Sequence, residues 1–294
     1  MNQPDIHRLD KKRIRESFNA AADTYDDVAV LQQEVGKRIL ERLEFIKTIP
    51  TVVLDVGSGT GQLSRALSQR YCKSQVISLD LAPRMLENAR RQNNWFTNRF
   101  GKQAYVCGDA EQLPVADHSV DLIFSSLALQ WCTELERVFA EFRRILKPEG
   151  LLMFSTFGPD TLKELRHSWH VADENPGANV HVNDFIDMHD IGDALLRAGL
   201  TDPVMDAENF TLTYPDAYQL MRELKTIGAH NAANQRRQTL TGKTRLKNMI
   251  EAYETFRTNG SLPATYEVVY GHAWGPKDLS EIQVPLSSLN KTGI

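Results

Sequence analysis

Residues 54–61 read Leu-Asp-Val-Gly-Ser-Gly-Thr-Gly, and they join the β-branched run Thr51-Val52-Val53 to a helix-forming run, residues 62–70. Glycines at a strand-to-helix turn let the backbone bend tightly and approach a ligand closely. About 20 residues further on, a second predicted strand, residues 76–80, ends in Asp80. A carboxylate at that position can accept hydrogen bonds from both hydroxyls of a ribose. Together these two signals predict a nucleotide-like ligand on an α/β sheet.

The spacing of the glycines distinguishes two kinds of nucleotide site. Dinucleotide sites use G-x-G-x-x-G, whereas the glycines here follow G-x-G-x-G, with Asp55 two positions before the first of them. The Asp55 carboxylate would repel a pyrophosphate but would suit an ammonium or a sulfonium. S-adenosylmethionine carries both cations and a ribose, so we predict it as the cofactor; a glycine turn in another kind of α/β protein is the alternative. The predicted contacts are Asp55, Gly57, Ser58, Gly59, Gly61 and Asp80.

Further candidate contacts follow the next strands. Leu81 and Met85 can offer apolar contact to adenine, although Met85 by itself is also typical of a core position. Asp109 can accept the exocyclic amine of adenine, and the backbone N–H of Ala110 can reach a ring nitrogen. Ser126, at the end of a predicted strand over residues 120–126, would face the methionine half of the cofactor.

Strands that alternate with helices at this spacing predict a mostly parallel sheet, whose ligands lie at the carboxyl ends of the strands. Residues 50–157 resemble the class I S-adenosylmethionine-dependent methyltransferases. The resemblance implies a Rossmann-like α/β fold with a seven-stranded, mostly parallel sheet whose last strand is antiparallel. Residues 210–213 and 265–270 are the candidates for the sixth and seventh strands.

The amino-terminal segment, residues 14–25, reads as a helix that runs into a bend, with Phe18 and Tyr25 as its large side chains. In methyltransferases of this type such a helix covers the cofactor. The resemblance therefore implies that Tyr25 contacts it, and a surface tyrosine packed on the core is the alternative.

Composition excludes several classes of function. The net charge of −4 gives no overall attraction to nucleic acid, and no apolar run approaches the ~20 residues of a membrane helix. Cys72, Cys107 and Cys132 lack metal-ligand spacing, so we interpret them as reduced cysteines of a cytoplasmic protein without a metal, with Cys107 in a buried strand. Nothing in the chain requires more than a monomer. We divide one predicted domain into cap helices (1–50), a cofactor-binding core (51–157), an insertion with the sixth strand (158–213), a helical lid (214–262) and the seventh strand with a tail (263–294).

Four segments outside the general methyltransferase motifs carry a closer resemblance: residues 156–166, 220–231, 240–243 and 262–274. They are similar to the malonyl-[acyl-carrier protein] O-methyltransferases of biotin synthesis. The resemblance implies methylation of the free malonyl carboxylate on an acyl carrier protein. One alternative is another small-molecule acceptor, such as a quinone-type carbon or a hydroxyl. Another is a non-methylating assembly factor that modifies a partner protein.

A carboxylate acceptor is already ionised near neutral pH, so the reaction needs placement rather than a general base. Because arginine's planar fork suits a carboxylate, we favour Arg222 as its partner. The other candidates are Arg166, Tyr214, Lys225 and His230. We interpret His181 and His189 as structural. The cations of the predicted lid form either a solvated helical face or a docking surface for an acidic partner: Arg236, Arg237, Lys243, Arg245 and Lys247.

Overall fold

A seven-stranded sheet organises the computed structural model, which describes residues 9–93, 101–173, 181–229 and 242–277. Its strands are β1 (Val52–Val56), β2 (Gln75–Asp80), β3 (Gln103–Cys107), β4 (Val120–Ser126), β5 (Leu146–Phe157), β6 (Thr201–Tyr214) and β7 (Leu262–Trp274). The spatial order is β3-β2-β1-β4-β5-β7-β6. Strands β1 to β5 pair in parallel, and β7 runs antiparallel to both of its neighbours. The predicted fold class is confirmed.

Helices connect the strands and cover both faces of the sheet. They are α1 (Lys11–Ala21), α2 (Tyr25–Val28), α3 (Val30–Arg42), α4 (Gln62–Arg70), α5 (Pro83–Gln92), α6 (Leu135–Ile145), α7 (Lys163–Ala172), α8 (Met188–Arg197), α9 (Ala217–Thr226) and α10 (Lys243–Glu254). No helix in the described ranges is long and apolar enough to cross a bilayer.

The central strands are apolar on both faces, as expected of parallel strands covered by helices on each side. Alternate residues of β1 enter different cores, because side chains of a strand point alternately to opposite faces. Val53 joins one core with Leu122 of β4, and Leu54 joins the other with Ile123. Burial on both faces therefore fixes the strand ends that carry the polar motifs.

Three details of the sheet differ from the sequence expectations. Strand β6 spans Thr201–Tyr214 rather than residues 210–213, because an edge strand tolerates exposed polar residues and Pro203. Strand β7 is likewise longer than residues 265–270. Cys107 is exposed rather than buried, because β3 is the other edge of the sheet.

The predicted helical lid (214–262) contains α9 and α10, and residues 230–241 lie outside the described part of the chain. Both helices reach the core through one apolar face: Leu220 of α9 and Met249 and Tyr253 of α10 are buried. Helix α10 packs mainly on α7. The insertion after β5 and the predicted lid are thus neighbours in space.

Candidate active site

A cavity opens where β1, β2, β4 and β5 end, beneath the amino-terminal helices and beside α9. It has two halves. One is lined by the glycine loop and the strand-end acids, and the other by residues that follow β5 and by α9. Two reactants could therefore meet between the halves.

The glycine loop has a backbone that other residues would strain. Gly57, Gly59 and Gly61 have φ values of 74°, 52° and 78°. The N–H groups of Gly57 and Ser58 both donate to the Leu79 carbonyl, at 2.8 and 3.0 Å, which fastens the loop to the end of β2. A Cβ on Gly57 would lie 2.2 Å from the Cβ of Ala128. The loop therefore needs glycine for its conformation and, at Gly57, also for space.

Asp80 is oriented by two backbone donors. The Gly59 N–H donates to its Oδ2 at 2.9 Å, and the Ala82 N–H donates to its Oδ1 at 2.7 Å. Burial raises the pKa of this carboxyl, although both N–H groups oppose the shift. The side chain lines the cavity. Each oxygen keeps a further lone pair, so the carboxylate can accept two neighbouring hydroxyls.

Asp55 lies beneath the loop rather than in the cavity wall. The carboxyl is 1% exposed and accepts the Ser64 hydroxyl at 2.5 Å, while the Ser78 hydroxyl donates to Ser64 at 2.8 Å. Burial raises its pKa to about 7, with hydrogen bonds from Ser64 opposing the shift. This position does not support the predicted direct contact with a ligand cation. It makes Asp55 a buried support of α4 and of the strand end.

Ser58 and Gly61 also shape the loop without lining the cavity. The Ser58 hydroxyl is buried and has no hydrogen-bond partner among the described residues. Gly61 precedes α4, where a Cβ would approach the Cβ of Ala89 to 2.8 Å. Gly57 and Gly59, in contrast, do line the cavity.

The end of β3 holds a charged cluster that the sequence only partly indicated. Asp109 lines the cavity, accepts Lys11 Nζ on Oδ2 at 2.5 Å and accepts the Glu111 N–H on Oδ1 at 3.0 Å. Lys11 also pairs with Glu111 at 2.7 Å. Burial opposes the charge of Lys11, but the two carboxylates prevail and raise its pKa. Lys11 joins α1 to the cavity, and no sequence signal singled it out.

The remaining predicted cofactor contacts all line the cavity: Tyr25, Leu81, Met85, Ala110 and Ser126. Tyr25 and Phe18 pack on a small buried cluster that includes Met85. Burial, followed by the charges of Asp80 and Asp26, raises the pKa of Tyr25, so its phenol stays neutral. The ring of Phe18 meets Trp131 edge to face, with centroids 5.3 Å apart. Helix α1 is thereby fixed over the cavity by aromatic packing as well as by Lys11.

None of the predicted acceptor residues that the structure describes lines the cavity. Helix α9 presents Leu224 and Ile227 to it, whereas Arg222 and Lys225 are exposed on the opposite face of the same helix. Arg166 donates to the carbonyls of Pro159 and Thr161, at 2.7 and 3.0 Å, and so secures the loop after β5. His230 lies outside the described residues.

Tyr214 contributes indirectly. Its hydroxyl donates to Glu223 Oε1 at 2.8 Å, and Glu223 and Tyr266 both line the cavity. Burial raises the pKa of Tyr214 and of Tyr266, so both phenols remain protonated. Sequence reasoning missed Glu223, whose only signal is its place on the apolar face of α9.

Two polar residues of the insertion, His181 and Asn183, also line the cavity. His181 is held by Asp173, which it meets through Nε2 at 3.0 Å. The contact with Asp173 fits the structural role predicted for His181, and its position also makes the residue part of the cavity wall. His189 is exposed, and its hydrogen bonds within the described ranges go to Asp187, at the start of α8.

This sheet order, the glycine loop and the acid that ends β2 define a class I methyltransferase. Residues 54–154 match the family model described as a methyltransferase domain. A putative methyltransferase from Bacillus halodurans C-125 shares the fold, with a TM-score of 0.58 over 82% of this chain and 99% of its own, at 17% identity.

The similarity to curated proteins is much closer. The malonyl-[acyl-carrier protein] O-methyltransferase of Methylovorus sp. is 54% identical over 93% of this chain and 92% of its own length. Its counterpart from Gallionella capsiferriformans is 52% identical over 91% and 92%, respectively. The chain belongs to the malonyl-[acyl-carrier protein] O-methyltransferase family.

Gly57→Ala should lower the free energy of unfolding by about 2–4 kcal/mol, because the added Cβ overlaps Ala128 and the backbone has a positive φ. Gly59→Ala is the matched control. It has the same kind of backbone but no atom within 4 Å of its Cβ, so it should cost only about 1–2 kcal/mol. Urea unfolding of the two variants compares them. Equal losses would mean that contact with Ala128 does not require glycine at residue 57.

Proposed function

We propose that this protein transfers the methyl group of S-adenosylmethionine to the free carboxylate of a malonyl thioester carried by an acyl carrier protein. The observation that carries the proposal is the near full-length identity with malonyl-[acyl-carrier protein] O-methyltransferases, which extends through the acceptor half of the cavity. A match confined to residues 54–154 would have supported methyl transfer but would not have indicated which acceptor receives the methyl group.

The residues of the first half suit the cofactor. Asp80 can hold the ribose, Leu81 and Met85 offer apolar surface to the adenine, and Ala110 has a backbone donor at the end of β3. Asp109 shares its carboxylate with Lys11, so it would accept the adenine amine with a remaining lone pair. When bound, the cofactor supplies an electrophilic methyl group on a sulfonium.

The protein's part in the chemistry is placement and exclusion of water. Apolar side chains from the loop after β5 and from the insertion, Leu162, Leu165 and Phe185, line the acceptor half. They can remove water from a carboxylate, which is a weak nucleophile when solvated. Alignment of two bound reactants can lower the barrier by ~7–11 kcal/mol.

The direct test measures transfer of labelled methyl to malonyl-acyl carrier protein, with acetyl-acyl carrier protein as the control. Label on the malonyl species alone, in a base-labile ester, supports the proposal. Absence of label from protein that binds the cofactor would refute it, and the assembly-factor alternative predicts that outcome. Label on the acetyl species would refute selection of the free carboxylate.

This protein has a surface beside the cavity that would suit an acyl carrier protein. On the exposed face of α9 lie Arg222 and Lys225, next to Tyr218. Tyr218 borders a groove shared with Lys243 and Lys247 of α10. Among these cations Lys247 pairs with Glu251, at 3.5 Å. An acidic partner would be attracted to this basic face.

One described cation of the predicted docking set has another position. Arg245 is mostly buried and meets Asp173 at 3.5 Å, so it does not belong to the surface. Arg236 and Arg237 lie outside the described residues. The surface that remains combines charge from two helices rather than a single basic run.

The double variant R222E/K243E should raise KM for malonyl-acyl carrier protein about 10-fold at low salt, because two attractive rim charges become repulsive. The effect should shrink as salt is added. Lys73→Glu is the matched control, since Lys73 is exposed at the opposite end of the sheet. Steady-state rates at two salt concentrations measure KM and its dependence on salt for each variant. Equal KM values for both proteins would place the docking surface elsewhere.

A further inference from the structure

The acceptor half of the cavity has one candidate group for binding an anion. Of the described residues that line the cavity, only Lys11 and His181 can carry positive charge. Lys11 is already paired with Asp109 and Glu111, at the adenine end. An acceptor carboxylate taken out of water needs a charged or hydrogen-bonding partner, which leaves His181.

His181 is held by two contacts, one of which is itself supported by an ion pair. Its Nε2 meets Asp173 Oδ2 at 3.0 Å, and its ring stacks on Trp169 with centroids 4.0 Å apart and planes 3° apart. Asp173 in turn pairs with Arg245 through its other oxygen, at 3.5 Å. Only 4% of the Asp173 side chain is exposed, so this carboxylate is turned towards His181 and Arg245 rather than towards solvent. The contacts hold the imidazole in one plane at the cavity wall.

Two polar groups in the acceptor half have no hydrogen-bond partner among the described residues and could bind a ligand. His181 Nδ1 has no hydrogen bond to any residue in the described ranges. Asn183 lines the same cavity, and its buried Oδ1 has no partner in the described part of the chain. A terminal amide can turn to present N–H instead of C=O. The wall therefore offers two further donors.

We propose that His181 binds the carboxylate of the acyl substrate, with Asn183 as a second donor and Asp173 as the positioning residue; this rests on the proposed function above. A ring between two carboxylates donates from both nitrogens, Nε2 to Asp173 and Nδ1 to the substrate. Glu223, on the α9 wall, carries the same charge as the substrate and directs it towards His181.

This arrangement leaves one carboxylate oxygen free to react. That oxygen forms a bond to the methyl carbon as the carbon–sulfur bond breaks, and the electron pair of that bond stays on sulfur. No proton moves. The methyl ester has lost the negative charge that His181 attracted, so the product binds more weakly than the substrate. The same contact thus selects malonyl over neutral acyl chains and favours release after one transfer.

His181→Gln should raise KM for malonyl-acyl carrier protein at least about 10-fold and leave the dissociation constant of S-adenosylmethionine within about 2-fold. Asp173→Asn should raise KM less, because the imidazole stays and can still donate to the amide oxygen, although the negative charge beside it is lost. His181→Arg should recover part of the loss, which a merely structural role would not allow. His189→Gln, on an exposed histidine paired with Asp187, is the control and should match the unchanged protein. An unchanged KM for His181→Gln would overturn the proposal.

A second measurement avoids any substitution. Malonyl-pantetheine added to the isotope-labelled, cofactor-loaded protein should shift the imidazole nitrogen resonances of His181, and neutral propionyl-pantetheine should not. Equal responses to the two compounds would overturn the proposal. If the unchanged protein fails to methylate malonyl-acyl carrier protein at all, the proposed function fails. If it methylates but His181→Gln does so equally well, only this inference fails.

Discussion

Replacing Asp80 with alanine should weaken binding of S-adenosylmethionine by about 10²- to 10⁴-fold. Two hydroxyls would lose a charged acceptor, and a hydrogen bond to a charged group contributes about 1.5–3 kcal/mol. The N–H groups of Gly59 and Ala82 would also lose their partner, which loosens the loop that faces the ligand. Calorimetric titration of the variant measures the change. Asp80→Asn should be nearly as damaging, because its amide group cannot accept from the second N–H.

A modified ligand separates ribose recognition from general damage to the loop. The unchanged protein should bind S-adenosylhomocysteine much more tightly than its 2′-deoxy analogue. Asp80→Ala should lose most of that discrimination. In the variant the 2′-hydroxyl has no carboxylate to bind, so removing the hydroxyl from the ligand costs little. Discrimination that persists in the variant would show that another group binds the ribose.

The cofactor half of the site could be predicted because its signals are local. Gly57, Gly59 and Asp80 each lie at a strand end, and parallel strands bring their carboxyl ends together whatever the rest of the chain does. Asp55 shows the limit of that reasoning. It lies at the right place in the motif, but the alternation of β1 turns its side chain beneath the loop, towards Ser64.

The acceptor half could not be predicted in the same way, because it is assembled from distant segments. Arg222 was favoured because a guanidinium suits a carboxylate. The spacing of Leu220, Leu224 and Ile227, however, already indicates which face of α9 points inward. Applying that period would have placed Arg222 outside. His181 had no such signal, since its partners Asp173 and Arg245 become neighbours only when α10 packs on α7.

Asp55→Asn should change how stability depends on pH. Burial raises the pKa of Asp55 to about 7, whereas an unfolded aspartate titrates near 3.9. Between these values the folded state holds a proton that the unfolded state has lost, so stability falls as pH rises. The contribution is complete below about pH 4 and is lost through pH 7, at about 1.4 kcal/mol per pH unit and about 4 kcal/mol in all. The asparagine variant lacks this loss, so its stability relative to the unchanged protein should rise across the same window.

Urea unfolding of the cofactor-free protein at several pH values between 4 and 8 measures this difference. Asp121→Asn is the control with the opposite sign. Burial alone would raise the pKa of Asp121, but hydrogen bonds from Lys147 and Thr51 lower it. The contribution of Asp121 to stability is therefore lost only as pH falls through the acid range. Its difference from the unchanged protein should stay flat between pH 5 and 7, where that of Asp55→Asn is steepest. A flat line for Asp55→Asn as well would mean that Asp55 is ionised in the folded protein, and that the hydrogen bond from Ser64 outweighs the cost of burying the charge.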